Sequence, residues 1–220
     1  MSMPIYVPPE QLIKDRAEYA RKGIARGKSI AAIQFGGGAL ILAENPSRIL
    51  HKISEIYDRV AFAGVGRYNE FESLRVAGIR HADIKGYMYG RPDVDVKGLA
   101  NAFSQTLANV FTHEVKPFEV EVLLVGISDD DCDMFTVLYD GTLSDEHRVG
   151  AIGGQAEQLV AHLSDGFKDN LTLDSALALA KEAFRSLDPE RDIEGWEGAV
   201  LDRTLGRRTF RRLDEDELAD

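Results

Sequence analysis

The sequence predicts an α+β fold: a four-layer αββα sandwich with an extra helix ahead of the first strand. Three observations predict it. By periodicity the chain runs helix, four strands, two helices, three strands, two helices, two strands. Connections between neighbouring strands are mostly short, which favours antiparallel pairing. After the first helix, the helices arrive in pairs between strand groups, an order that suits helix layers outside two stacked sheets. No internal repeat or low-complexity linker divides the 220 residues. One domain follows, long enough to bury a substantial core without disulfides.

Taken in order, Met1 to Pro9 holds three prolines and no helical period, so it reads as an N-terminal arm. Glu10 to Arg26 reads as a helix with Leu12, Ile13, Tyr19 and Ala20 toward one side. Ser29 to Phe35 and Ala39 to Ala43 flank Gly36-Gly37-Gly38, a hairpin signal. A shorter pair, Ile49 to Ile53 and Val60 to Val65, flanks a turn near Tyr57-Asp58-Arg59. Arg67 to Tyr87 and Val94 to Glu114 read as helices, the second carrying Val96, Leu99, Phe103, Leu107 and Val110 at helical spacing. Glu119 to Ile127 is apolar on both faces, as in a strand held between layers. Met134 to Tyr139 follows, then the tight-turn pair Asp140-Gly141, then Arg148 to Ile152 as strand. Gln155 to Lys168 and Leu173 to Leu187 read as helices, and Trp196 to Arg203 with Arg207 to Leu213 as a closing hairpin. The domain therefore spans 10–213, between the arm 1–9 and the acidic tail 214–220.

The composition narrows the function classes. A formal net charge of -11 argues against nonspecific nucleic-acid binding, which needs many cations against phosphate. The charge is uneven: from Lys14 to Lys28 there are six Lys or Arg against two acids. No apolar run approaches membrane-spanning length and no signal peptide precedes the domain, so a membrane role is not expected. Cys132 is the only cysteine, which excludes an internal disulfide and fits a reducing cytoplasm.

Several motifs dissolve on inspection. Gly27-Lys28-Ser29 matches the end of a phosphate-binding loop, but Gly23 stands one residue too close. The element order is also reversed, since a helix here ends at the glycine and a strand begins, so no anion would face a helix N-terminus. Gly64-Val65-Gly66 precedes a helix, but Asn69 replaces the last glycine of a dinucleotide fingerprint. His51, His81, His113, His147 and His162 are scattered and form no zinc pattern. Asp129-Asp130-Asp131 lacks the ligand spacing of a calcium loop. Neither a metal nor a cofactor is expected.

More specific is the succession of local sequences. Glu18-Tyr19-Ala20-Arg21, Arg26-Gly27, Asn45-Pro46-Ser47-Arg48, Lys52-Ile53 and Tyr57-Asp58-Arg59-Val60-Ala61-Phe62-Ala63-Gly64, in that order and spacing, resemble the proteasome α-subunit family, in its actinobacterial branch. The match runs from about residue 9 to residue 213. The resemblance implies the N-terminal-nucleophile hydrolase fold and a noncatalytic subunit of homo-heptameric α rings. Such rings cap proteasome β subunits, which carry out threonine-type proteolysis on protein substrates in transit. It also implies a hexameric AAA-type ring ATPase as activator, delivering proteins tagged with a prokaryotic ubiquitin-like modifier. The arm Ser2, Met3, Pro4, Ile5, Tyr6, Val7, Pro8, Pro9 would be the gate. Family arms often carry Tyr-Asp-Arg, whereas here Tyr6 stands without Asp-Arg after it. Apolar packing of Met3, Ile5, Tyr6 and Val7 is expected instead.

An active member of that superfamily would need a Thr, Ser or Cys whose own α-amino group is the base, at the start of a buried strand. Ser2 is followed by the arm and a helix, and Ser29 lies deep in the chain with no free amine. An active peptidase or amidase would require autoprocessing before Ser29 and would lose the basic helix. An unrelated α/β binding domain remains a third reading. The resemblance further implies that Lys52 pairs with the C-terminal carboxylate of an activator tail, in a pocket between neighbouring α subunits. Gly27 would let the tail backbone approach closely, Gly66 would border the pocket, and Arg26 and Lys28 would add positive potential. The residues alone favour reading Lys52 as a solvated strand lysine and Gly27 as a helix cap, with Arg26 and Lys28 as surface charges, and it is the resemblance that reverses this. Arg67, after Gly66, stands where archaeal relatives usually carry an apolar residue, so the tail side chains accepted here would differ.

Overall fold

A computed structural model describes residues 8–219. Within it, helix α1 (Pro9–Ile24) precedes strands β1 (Ile30–Phe35), β2 (Gly38–Glu44), β3 (Ile53–Tyr57) and β4 (Val60–Gly66). Helices α2 (Tyr68–Met88) and α3 (Val96–His113) lead to β5 (Val120–Ile127), β6 (Cys132–Val137), β7 (Leu143–Glu146) and β8 (Val149–Ile152). Helices α4 (Ala156–Gly166) and α5 (Leu173–Leu187) precede the closing strands β9 (Trp196–Asp202) and β10 (Phe210–Arg212).

The strands form two five-stranded sheets, ordered β10-β9-β2-β1-β8 and β3-β4-β5-β6-β7, with antiparallel pairing throughout. Three apolar layers separate four structural layers. Between the sheets lie Ile30, Ala32, Ile41, Leu123, Val125 and Met134. Helices α2 and α3 close over the second sheet through Leu74, Leu99, Phe103 and Leu107 against Phe62 and Leu124. Helices α4 and α5 close over the first through Leu159, Leu163, Leu177 and Phe184 against Ile33, Leu40 and Leu42. Alternation in β1 shows why: Ile30 and Ala32 face the other sheet, while Ala31, Ile33 and Phe35 face the helices. A strand covered on both faces reads as a continuous apolar run, as Ile30 to Ile33 does before the half-buried Gln34.

The αββα architecture is as expected, and three local readings need correction. The third strand is Ile53–Tyr57 rather than Ile49 to Ile53. Ile49 is 83% exposed, and the segment around it is a loop. There the Asn45 side chain bonds the Leu50 carbonyl and the Ser47 hydroxyl accepts from the Leu50 amide. Lys52 therefore stands just before the strand. A fourth strand in the middle group, β7, was not expected. It is an edge strand of Leu-Ser-Asp-Glu that shows solvent most of its side chains and so carries no hydrophobic period. Helix α1 ends at Ile24, with Ala25 as its C-cap, rather than at Arg26. Pro9 opens it, at a position where a proline's missing N–H costs nothing.

Helix α1 is seated at few points. Ala20 and Ile24 are buried. Arg16 donates to the Val110 and Glu114 carbonyls at the end of α3 and lies over the Phe111 ring. The Val110 carbonyl also accepts the Glu114 amide, while the Glu114 carbonyl lies past the helix end, and a cation at a helix C-terminus is favourable. Leu12, Ile13 and Tyr19 are 50, 56 and 46% exposed.

Candidate functional site

Three chain segments meet at one corner of the molecule. They are the residues entering β1, the loop 45–52 between β2 and β3, and the end of β4. The Lys52 amide donates to a Glu197 carboxylate oxygen at 2.9 Å, and its carbonyl accepts from Gly64 at 3.1 Å. Its ammonium donates to the Glu44 carbonyl at 3.0 Å and the Lys28 carbonyl at 3.3 Å. An ammonium has three donors, so one remains without a partner among the described residues. Burial pushes the Lys52 pKa below its ordinary 10.5, opposed by Glu197 and Glu44 and assisted by the Lys28 charge.

The cations at this corner are not equivalent. Lys28 is ion-paired with Glu44 at 3.3 Å. Glu44 is buried and also takes a two-pronged contact from Arg191, 2.6 Å on each oxygen. Arg26 is exposed and pairs with no acid among the described residues. The Arg191 hydrogen bonds hold the Glu44 carboxyl below its ordinary 4.5, against the upward push of burial. A depressed folded value gives stability that is complete above about 4.5 and is lost as pH falls through that folded value. Glu44→Gln should therefore melt below the parent at neutral pH, with the gap closing on acidification. A gap independent of pH would contradict the pairing.

Two glycines let the segments at this corner pack closely. A Cβ on Gly27 would lie 2.8 Å from a Val65 methyl and 3.1 Å from the Gly66 nitrogen. The segment leading into β1 thus packs directly on the end of β4. Gly66 has φ +114°, and a Cβ on it would fall 1.9 Å from the Glu119 carbonyl oxygen. The next residue, Arg67, donates its amide to that oxygen at 2.9 Å, and its exposed side chain reaches Glu119 at 3.6 Å. Lys52, Gly27, Lys28 and Gly66 are thus brought together, with Arg26 on the exposed rim. A carboxylate arriving here would meet a directed, partly desolvated ammonium with a free donor. Of the arm, Ser2, Met3, Pro4, Ile5, Tyr6 and Val7 lie outside the described residues. Pro8 and Pro9 are exposed, and the Pro8 carbonyl accepts from Leu12 at 3.1 Å.

Residues 24–201 match the family model described as proteasome subunit. The proteasome subunit alpha of Xylanimonas cellulosilytica is 54% identical, covering 97% of this chain and 93% of that protein. The corresponding protein of Kineococcus radiotolerans is 52% identical over 100% and 97%, and that of Acidimicrobium ferrooxidans 50% over 99% and 95%. The chain belongs to the proteasome subunit family. The resemblance to actinobacterial α subunits, read from short segments, extends over nearly the whole length.

In a proteasome subunit the entrance to β1 is where a nucleophile would be sought. Here Ser29 is buried, and its hydroxyl accepts from the Gln155 amide at 3.3 Å. Its own nitrogen is a peptide nitrogen in the chain that leaves α1, so no amine is available as base. Burial raises the Cys132 thiol to about 12, far from the thiolate a nucleophile needs. Among the described residues no cluster of three His, Cys, Asp or Glu could hold a metal, and no helix is long and apolar enough to cross a membrane. Sequence reasoning missed Glu44, Arg191 and Glu197 as parts of the corner. A signal existed: Glu44 is the one acid in the apolar run of β2, Glu197 interrupts the apolar residues of β9, and buried acids need partners.

Proposed function

We propose that this proteasome subunit is a noncatalytic α subunit. It assembles as a homo-heptameric ring on proteasome β subunits in the cytoplasm and gates the passage of protein substrates. It docks the C-terminal tails of a hexameric AAA-type ring ATPase at Lys52, for ATP-dependent degradation of proteins tagged with the ubiquitin-like modifier. The observation that carries this reading is the continuous helix α1 ahead of Ser29. It denies β1 a free amine and leaves Leu12, Ile13 and Tyr19 uncovered on a single chain. Apolar residues exposed together on a helix suit a neighbouring subunit. Light scattering and electron microscopy test the assembly: sevenfold rings with an N-terminus near Met1 or Ser2 are expected. A monomer, or a chain cleaved before Ser29 that hydrolyses peptides alone, would overturn the proposal.

The arm would close the pore through its apolar residues, with prolines limiting its freedom. Deleting Ser2–Pro9 should raise hydrolysis of small fluorogenic peptides by particles assembled with β subunits severalfold. Unchanged hydrolysis would mean that the arm is not the gate.

A further inference from the structure

Lys52 is aimed by a residue on another sheet. Glu197 is 8% exposed and lies in β9 opposite Ala43 of β2. One of its oxygens accepts from the Asn45 side-chain amide at 2.7 Å and from the Lys52 backbone amide at 2.9 Å. The other accepts from the Ile53 amide at 3.1 Å and Arg212 at 3.0 Å, and lies 3.3 Å from His51 Nδ1. Arg212 also donates to the Ile53 carbonyl at 2.7 Å. A single carboxylate thus holds both ends of the loop 45–52 and the first residue of β3. The loop's other bonds are mostly internal, Asn45 to the Leu50 carbonyl and Ser47 to the Leu50 amide, and Ile49 and Leu50 are exposed, so Glu197 and the Gly64 amide are what tie its Lys52 end to the sheets. The Lys52 ammonium reaches the Glu44 and Lys28 carbonyls from a backbone held on one side by Glu197 and on the other by the Gly64 amide.

We propose that Glu197 is the positioning residue for Lys52, fixing the ammonium where an incoming tail carboxylate must meet it. The inference rests on reading Lys52 as the tail-binding residue. It concerns pre-organisation: a lysine held in place loses less conformational freedom on binding than one on a loose loop. Glu197→Gln preserves the side chain's volume but turns one oxygen into an NH2 group. Whichever way the amide faces, a donor then opposes donors and one half of the clamp is lost.

The test uses assembled rings and the C-terminal peptide of the ring ATPase encoded in the same genome, with the peptide's C-terminal amide as control. Glu197→Gln should weaken the carboxylate peptide roughly tenfold, a typical size for coupling through a packed network. In a Lys52→Ala background it should have no further effect, because the clamp acts through that ammonium. Effects that add, or unchanged affinity for Glu197→Gln while Lys52→Ala loses binding, overturn the positioning role alone. Unchanged affinity in Lys52→Ala overturns the pocket reading itself. If Glu197→Gln rings do not assemble, Asn45→Ala frees the same loop while leaving Glu197 paired with Arg212. It should weaken the peptide in the same direction, and unchanged affinity there also overturns the positioning role.

Discussion

Lys52→Ala is expected to leave rings of unchanged mass that no longer bind activator tails. A charge-assisted hydrogen bond to a carboxylate is worth about 1.5–3 kcal/mol, so each tail should lose roughly one to two orders of magnitude in affinity. On the proposed docking several tails of one ATPase would engage one ring, so weakening every contact would remove the avidity as well. Degradation of tagged proteins should therefore cease rather than slow. The protonation state offers a second readout. Binding needs the charged ammonium, and burial sets the Lys52 pKa below 10.5. Tail affinity should fall as pH rises through that lowered value, before an ordinary lysine would lose its charge. Burial disfavours the charged lysine, so below that pKa it costs folding stability, and the cost is relieved above it. Lys52→Arg keeps the charge at alkaline pH with a different donor geometry, and should flatten the alkaline limb while lowering affinity. Tails that bind Lys52→Ala as tightly as the parent would show that the carboxylate lands elsewhere.

The architecture was legible because both sheets are covered on both sides. Covered strands write apolar runs, and paired helices write periodic ones, so the order of layers follows from the order of runs. Leu143–Glu146 escaped because an edge strand needs only backbone partners, which its polar side chains do not reveal. The corner at Lys52 was legible in part. Gly27 and Lys52 were found through resemblance, and the fold brings Lys28 and Lys52 together through the Lys28 carbonyl. The groups that orient Lys52 were not found, because a pairwise contact leaves no local trace. Glu44 and Arg191 are 147 positions apart, and Glu197 and Lys52 are 145 apart. The sequence shows a lone acid in an apolar strand, and only the fold shows which cation or amide answers it.

Gly66→Ala separates what the corner needs for folding from what it needs for binding. At φ +114° a side chain is strained, and the new methyl would sit 1.9 Å from a backbone oxygen that cannot swing aside. That oxygen accepts the Arg67 amide, and Gly66 is in register with Val120 at the edge of the β4–β5 ladder. Relief therefore has to open the ladder or break the Arg67 bond. Backbone strain of about 1–3 kcal/mol and overpacking of about 1–3 kcal/mol together give roughly 2–6 kcal/mol. For a chain of this length that lowers the melting temperature by roughly 5–20 °C. Gly27→Ala is the informative contrast, since its new methyl would press on the buried Val65 methyl at 2.8 Å and the Gly66 nitrogen at 3.1 Å but needs no positive φ. Without the backbone strain of Gly66 it should cost less stability, and any loss of tail binding would come from shifting the segment 27–28 against β4. Calorimetry and tail binding on both variants resolve the two roles. A Gly66→Ala ring that melts with the parent would mean the β4–β5 end is looser than this packing requires. The close approach of Gly27 to the end of β4 would then be no fixed feature of the corner proposed for docking.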